Sequence, residues 1–390
     1  MASMRVTLGS ERLLASDKLK GKRVGVVSNP ASVDSEFQHI VARLANHPDI
    51  RLGAIFGPQH GFRADVQDNM IETPHARDDS RRVPVYSLYS ETREPTADML
   101  KDIDVLVVDL QDVGSRIYTF IYTMAHCLRA GRKHGVPVIV CDRPNPIGGT
   151  AIDGPILLKG FESFVGQFPI PLRHGMTIGE LARFFNDACG ISAELTVMPM
   201  ERWQRPMNFD DTGIPWVMPS PNMPTLETAV VYPGTVLFEG TNVSEGRGTT
   251  RPFEIIGAPW IDAEALASTL MSHNMPGVHF RATVFEPTFQ KHARQACGGV
   301  QIHVLDRDAF PAVESAVAVL MEIRSQNLER FEWRQPPYEY EKDKMPFDIL
   351  AGSSELREQI EAGVQPRAIY DGWQSGLDGF IRDRKPYLLY

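Results

Sequence analysis

The sequence predicts an α/β protein: a Rossmann-like, doubly wound parallel sheet followed by a smaller C-terminal α/β domain. Two observations carry this expectation. Short β-branched runs alternate with amphipathic segments through the first half of the chain, and those runs are apolar throughout, as strands covered on both faces must be. A proline-rich stretch over residues 199–224 then breaks the rhythm, and strands and helices resume in a mixed order. The boundary falls there, with residues 1–225 forming the Rossmann-like part and residues 226–390 the smaller one. The proline run is either a linker or a rigid loop lining a cleft.

The elements follow in order. Arg23–Ser28 reads as a buried strand, with a helical stretch from about Glu36 to Asn46 after it. Arg51–Phe56, Val83–Tyr86, Asp104–Asp109 and Pro137–Cys141 are the next strands, and Glu194–Met198 is a sixth. Ile117, Phe120, Ile121, Met124, Ala125 and Leu128 recur at the spacing of one helix face. Thr177 to Ala188 is a further helix, Thr177 being its N-cap and Glu180 the capping-box partner. The second region offers strands at Val278–Phe285 and Val300–Leu305 and helices at Asp262–His273, Ala312–Gln326 and Ser354–Ala362.

Composition narrows the function classes. The chain has 390 residues, 43% hydrophobic and 23% charged, which excludes a disordered or fibrous protein and gives enough length to bury a core without staples. Forty Lys and Arg against 49 Asp and Glu leave a net charge of -9, a poor match for a phosphate backbone, so no nucleic acid is expected as a partner. Cys127, Cys141, Cys189 and Cys297 are far apart and read as small buried hydrophobes rather than disulfides or zinc ligands. No stretch approaches a membrane span, and the opening residues lack an apolar leader core. As written, the chain reads as soluble and cytoplasmic, and as periplasmic or secreted if a leader has been removed. The oligomeric state is not legible.

In a parallel α/β sheet, ligands bind beyond the carboxyl ends of the strands. Four such ends here run into loops fixed by Gly or Pro and rich in polar groups: Ser28-Asn29-Pro30; Gly57-Pro58-Gln59-His60-Gly61-Phe62-Arg63; Asp109-Leu110-Gln111-Asp112 through Ser115-Arg116; and Asp142-Arg143-Pro144-Asn145. From the second region, the stretch Phe238–Arg251 adds Glu239, Asn242, Glu245, Arg247 and Arg251 with three glycines, which would let its backbone approach a ligand closely. Its Arg side chains would suit a carboxylate.

The chain has no dinucleotide fingerprint, phosphate loop, zinc helix or nucleophile elbow. No cofactor is expected. What remains is carboxylate chemistry on a neutral polar substrate, with sugar transfer the leading class. The candidate acids are Glu239, Glu245, Asp109, Asp112, Asp142, Glu72 and Glu91, and Phe62, Tyr118, Trp216 and Tyr232 are aromatics able to stack on a sugar ring. Two alternatives stand beside it: a non-catalytic sugar binder, and a metal-assisted hydrolase using Asp109 and Asp112. Asp112 and Arg116 are equally readable as a structural pair one helical turn apart.

The four motifs Gly57–Arg63, Asp109–Phe120, Asp142–Gly149 and Glu239–Thr249 resemble the NamZ/YbbC exo-β-N-acetylmuramidase family. The likeness runs from about Gly21 to the C-terminal Arg384-Lys385-Pro386-Tyr387. The resemblance implies a catalytic cleft between the two domains and release of N-acetylmuramic acid from non-reducing ends of peptidoglycan fragments. Carried onto this chain, it makes Glu239, Gln59, His60 and Asp112 the catalytic candidates. Asn29, Arg63, Asp109, Arg116, Tyr118, Asp142, Arg143, Asn145, Asn242, Glu245, Arg247 and Arg251 become candidates for binding, with Arg143, Arg247 or Arg251 suited to the lactyl carboxylate.

One position departs from the family pattern. The usual motif has Glu where this chain has Gln59, and that Glu is the favoured acid. An amide cannot donate a proton as a carboxylic acid does, and losing a general acid typically costs about 10²–10⁴-fold. Either another acid serves, Glu239 first among them; or the substrate's acetamido group supplies the nucleophile and Gln59 orients it; or the chain has changed substrate or lost hydrolysis. Substituting Glu239 by Gln is expected to abolish activity with the melting temperature nearly unchanged.

Overall fold

Strand-forming runs that are apolar on both faces need cover on both sides, and the fold supplies it. The computed structural model describes residues 5–64, 66–67 and 71–390; the first residues, read above for a leader, fall partly outside that range. Along the chain come β1 (Arg23–Ser28), β2 (Arg51–Gly57), β3 (Ala76–Asp78), β4 (Val83–Ser87), β5 (Val105–Asp109), β6 (Val138–Cys141), the hairpin of β7 (Asp153–Ile156) with β8 (Pro171–Arg173), and β9 (Leu195–Met198). One sheet is ordered β3-β4-β2-β1-β5-β6-β9, and every pairing in it is parallel except that of the short edge strand β3. Leaving β3 aside, this is the strand order of a doubly wound Rossmann sheet, with the reversal between β1 and β5.

The expected strands all form, with ends moved by up to three residues, the largest shift being the start of the strand expected at Val300, which begins at Cys297. The helix expected over 36–46 is shorter, Ile40–Ala45, because His39 caps it by accepting from the Val41 amide. The helix carrying the Ile117–Leu128 face begins only at Phe120 and runs to His134, where Gly135 at φ 69° ends it. A glycine is suited to that left-handed position. The capping box at Thr177 forms: its hydroxyl accepts from the Glu180 amide, and the Glu180 carboxylate accepts from the Thr177 amide.

The core divides at the sheet. Val24, Val26, Ile55, Val105, Val107 and Ile139 face Leu13, Ile40, Val41 and Leu44 on one side. On the other side, Val27, Phe56, Leu106, Val108 and Val140 join a larger core that continues without a break into the C-terminal half, through Phe238, Val317, Leu320 and Phe347.

That half holds a helix at Leu226–Thr235 and a 3₁₀ turn at Val236–Gly240. Its antiparallel sheet is ordered β10-β12-β11, from β10 (Ile255–Ala258), β11 (Val278–Phe285) and β12 (Cys297–Val304). Helices at Ala263–Ser272, Ala312–Gln326, Pro346–Ala351, Glu355–Glu361 and Pro366–Arg384 complete this half, the first of them packed on β11 and β12. Cys127, Cys141 and Cys297 are buried and Cys189 partly so, all as free thiols.

Arg116 ties the halves together. Its guanidinium is fully buried and donates to the carbonyls of Pro155, Ile170 and Leu350. The last is in the final turn of the Pro346–Ala351 helix, where carbonyls lack helical partners and a cation is favoured. The helix ends at Gly352, φ 92°, where an added Cβ would lie 2.6 Å from Arg116 Nη1 and 2.9 Å from the Leu157 Cα. Gly352→Ala therefore imposes both a left-handed backbone and a clash. It is expected to lower unfolding stability by about 1–3 kcal/mol, read from denaturant midpoints. An unchanged midpoint would show that this junction yields freely.

Candidate functional site

The turn after β2 is set by a close approach: a Cβ on Gly57 would lie 2.5 Å from the Phe62 amide nitrogen. The chain folds back through His60 at φ 70° and Gly61 at φ 80°, and a non-glycine residue held there marks stored strain. This turn presents Gln59 and His60 to a recess of about 490 Å³, counting the part open to solvent. Its floor is the segment Ile117–Phe120 at the start of the long helix, and the proline run contributes Ser220, Asn222 and Met223. That run therefore lines the recess. Tyr232, Glu239, Arg247, Phe253, Tyr338 and Glu339 from the C-terminal half close the far wall.

The polar groups of the recess are ordered by one another. Gln59 is buried, and its Oε1 accepts from the Thr119 hydroxyl at 2.7 Å, which directs the amide NH₂ the opposite way. The His60 Nδ1 lies 2.7 Å from the Val66 carbonyl. Burial, aided by the nearby Arg247 charge, lowers its pKa to about 4 against the carbonyl's opposing pull. At neutral pH the ring is uncharged with its proton on Nδ1, leaving Nε2 as an acceptor.

Glu239 stands on the 3₁₀ turn. Its Oε1 is 2.9 Å from Arg247 Nη2, and its Oε2 accepts from the Tyr338 hydroxyl at 2.7 Å. Arg247 also lies 3.5 Å from Glu245, which Lys291 Nζ meets at 2.8 Å, so four charges alternate along the wall. Burial alone would lower the Arg247 pKa, but Glu239 and Glu245 outweigh it and hold the group firmly charged. For Glu245, burial works upward, but Lys291 and Arg247 prevail and the carboxyl sits below its usual range.

Glu339 is the second carboxylate of the recess. It is buried, accepts from the Tyr89 hydroxyl at 3.2 Å, and has its pKa raised to about 7 by burial and by the charge of Glu239. The Tyr118 hydroxyl, buried in the wall, makes no hydrogen bond of good geometry among the described residues. It is a group with capacity for a ligand.

Of the residues expected at a site, Gln59, His60, Tyr118, Glu239 and Arg247 line the recess together, and Glu245 stands directly behind Arg247. The others lie elsewhere, and the structure gives each a different role. Asp109 and Arg143 form a buried fork, Nε to Oδ1 at 2.6 Å and Nη2 to Oδ2 at 2.9 Å. Asn29 donates through its side chain to the Pro219 carbonyl and through its backbone amide to the Ser32 hydroxyl, which donates to the carbonyl of Asp109. The reversal point between β1 and β5, where a ligand was expected, is thus filled by the chain's own polar groups.

Asp112 accepts from the Gly114 amide and faces His174 at 3.3 Å. It does not pair with Arg116, because residues 110–119 are not yet helical. Asp109 is thus engaged by Arg143 through both oxygens and Asp112 through Oδ2, and the described residues contain no group of three or more His, Cys, Asp and Glu that could hold a metal. Asp142 is capped by the amides of Arg143 and Gly179 and the hydroxyls of Thr177 and Tyr390. Asn145 braces the Met176 carbonyl and the Ile147 amide.

Asn242 pairs with the backbone at Arg330 and Glu332. Arg251 is exposed on Glu254, and Arg63 opens onto a neighbouring hollow with Phe62. Trp216 packs edge-on against Phe209, while Tyr232 does reach the recess. The glycines of the 238–251 stretch serve packing within the chain: a Cβ on Gly240 would meet Phe347, and one on Gly248 would meet Phe289.

Sequence reasoning missed Thr119, Ser220, Asn222, Tyr338, Glu339 and Tyr89. The signal for two of them was available: Pro336-Pro337-Tyr338-Glu339-Tyr340 is a proline-fixed loop with an acid between aromatics, the same type of loop that drew attention at the strand ends.

Comparison with known proteins places this geometry. Residues 24–227 match the N-terminal region, and residues 230–390 the C-terminal region, of the family described as exo-beta-N-acetylmuramidase NamZ. The chain is 49% identical over 388 residues to the peptidoglycan beta-N-acetylmuramidase NamZ of Bacillus subtilis (strain 168), spanning 99% of this chain and 92% of that protein. Two crystal structures of DUF1343 family proteins from Bacteroides fragilis NCTC 9343 share the fold, each covered to 99% on both sides. Their TM-scores are 0.89 and 0.78, at 36% and 30% identity. With both regions matched along almost the whole chain, the protein belongs to the NamZ exo-β-N-acetylmuramidase family.

Proposed function

We propose that the protein is an exo-acting glycoside hydrolase that releases N-acetylmuramic acid from the non-reducing ends of peptidoglycan fragments, in the recess between the two halves. The observation that carries the reading is the gathering of Gln59, His60, Tyr118, Glu239, Arg247 and Glu339 around one hollow, in a chain of a muramidase family. Glycoside hydrolysis requires a proton donor at the leaving oxygen and a group that supports positive charge at the anomeric carbon. Two carboxylates in one recess, in unlike surroundings, suit that division of labour.

Of the three arginines weighed for the lactyl carboxylate, Arg143 is locked on Asp109 and Arg251 lies out on Glu254. Arg247 alone of these lines the recess, so the acid sugar is placed beside it. Gln59, anchored through its carbonyl oxygen, directs N–H donors that suit the acetamido oxygen.

The test is release of N-acetylmuramic acid from N-acetylmuramyl-β-1,4-N-acetylglucosamine and from an aryl β-N-acetylmuraminide. Turnover of both is expected, and absence of turnover beside an active relative would favour a sugar-binding protein without catalysis. Glu239→Gln is expected to lower kcat/KM by about 10²–10⁴-fold. Its melting temperature is also expected to fall, contrary to the view from sequence, because Arg247 loses a buried counter-charge. Full activity in this variant would remove Glu239 from the chemistry.

The Asp109–Arg143 fork is scaffold in this reading. Asp109→Asn leaves a buried guanidinium without its counter-charge and should cost about 3–5 kcal/mol of stability. KM in the folded fraction is expected to hold. A raised KM at unchanged stability would return the fork to the substrate site.

A further inference from the structure

We infer that Glu339 is the proton donor of this enzyme. The inference rests on the muramidase reading above and deepens it. Gln59 lines the recess as an amide and has no acidic proton to give. The acid must then come from another carboxyl group facing the same space, and among the described residues the recess holds Glu239 and Glu339.

Their surroundings divide the roles. Glu239 is gripped by the Arg247 guanidinium on one oxygen and the Tyr338 hydroxyl on the other, so both of its oxygens are engaged within the wall. Glu339 is buried in the same wall with a neutral phenol, Tyr89, at one of its oxygens. Among the described residues, the charged and titratable groups around it include Glu239, Arg247 and Arg93, with Tyr89, Tyr232 and Tyr338, and His60 across the recess is held uncharged. Glu239 and burial act on Glu339 in the same direction, toward holding the proton to about pH 7, against the lesser pull of Tyr89 and the two arginines. This is the condition of a carboxyl group that is still protonated when it meets substrate near neutrality.

The backbone shows that the position is enforced. Glu339 and Tyr340 are consecutive non-glycine residues at φ 44° and 69°, a costly conformation that persists only when its surroundings impose it. Those surroundings are visible. The Arg93 guanidinium sits 4.4 Å from the Tyr89 ring centre and 4.6 Å from that of Tyr340, and Tyr89 and Tyr340 also pack on Phe164. The cluster clamps the loop from outside and turns the Glu339 carboxyl inward.

In the step, the Glu339 proton passes to the glycosidic oxygen as the bond between that oxygen and the anomeric carbon breaks. The bonding electron pair leaves with the oxygen, so the departing sugar is released as a neutral alcohol. Water completes the reaction by adding its hydroxyl to the anomeric carbon and returning its proton to Glu339. Water is the only co-reactant.

Proton donation matters in proportion to the basicity of the leaving oxygen. Glu339→Gln is therefore expected to reduce kcat/KM about 10²–10⁴-fold on the muramyl-glucosamine disaccharide but less than about 10-fold on a dinitrophenyl β-N-acetylmuraminide, whose phenolate leaves unaided. In the wild type, kcat/KM on the disaccharide should fall as pH rises past about 7. Tyr89→Phe, which removes a hydrogen bond to the ionised form, should move that limb to higher pH.

Equal losses on the two substrates, no loss on either, or an alkaline limb indifferent to Tyr89→Phe would overturn the assignment while leaving the muramidase reading intact. A wild type that cleaves neither substrate would instead overturn that reading. Far-ultraviolet dichroism of each variant separates a chemical loss from an unfolded chain. Glu339→Gln should fold, since the amide resembles the protonated carboxyl the site favours.

Discussion

Arg247 held between Glu239 and Glu245 is the interaction on which the recess depends. A guanidinium buried in this wall would be untenable alone, and two buried carboxylates side by side would repel. Alternating them, and closing the row with Lys291, makes each charge the solvent of the next. Lys291 also donates to the carbonyls of Phe238 and Val243, so the row fixes the backbone that carries Glu239. The 3₁₀ turn, the charge row and the Tyr338 hydroxyl therefore form one unit. Its outer members position the inner ones and need not touch a sugar themselves.

This arrangement explains why the ligand site is not where a doubly wound sheet usually puts it. The reversal between β1 and β5 is closed by the Asp109–Arg143 fork together with Asn29 and Ser32. The hollow is shifted toward the turn after β2 and the start of the Phe120–His134 helix, where the C-terminal half can reach it. Thr119 marks the shift. It stands at the N-cap of that helix, yet its hydroxyl goes to Gln59 instead of to a helix amide, giving up a capping bond to fix a recess side chain. The larger hydrophobic core crosses between the halves without interruption, and Arg116 stitches them with three carbonyls. The far wall of the recess is thereby held in register with the sheet.

The sheet was legible because its strands are apolar on both faces, a pattern that few other elements share. Elements stabilised by their setting were not. The edge strand β3 has three residues and no apolar run; the Leu226–Thr235 helix contains Val230, Val231 and Pro233, all poor helix formers. The Pro366–Arg384 helix is mostly polar and packs along the hairpin of β7. At the site, the sequence pointed to Gln59, His60, Tyr118, Glu239 and Arg247 correctly as neighbours, since each lies in a loop fixed by Gly or Pro. It could not separate them from Asp109, Asp142, Arg143 or Asn145. A polar residue beyond a strand end looks the same whether it satisfies a ligand or a buried backbone group, and only partners at bonding distance tell the two apart.

The amide at position 59 and the acid at position 339 have a common physical basis. The recess already contains Glu239 and Glu339, and the charge of Glu239 acts on Glu339 through a poorly solvated space. A third carboxylate at 59 would add a like charge to that space; one of the three would then stay protonated, and which one would depend on small differences in burial. Gln59 keeps the hydrogen-bonding shape of a glutamate without its charge. Thr119 fixes which end of the amide accepts, so the other end offers N–H donors. On the proposed reading, the amide at 59 therefore sharpens the division of roles: a donor of hydrogen bonds at 59, a carboxyl group held by Arg247 at 239, and a single labile proton at 339.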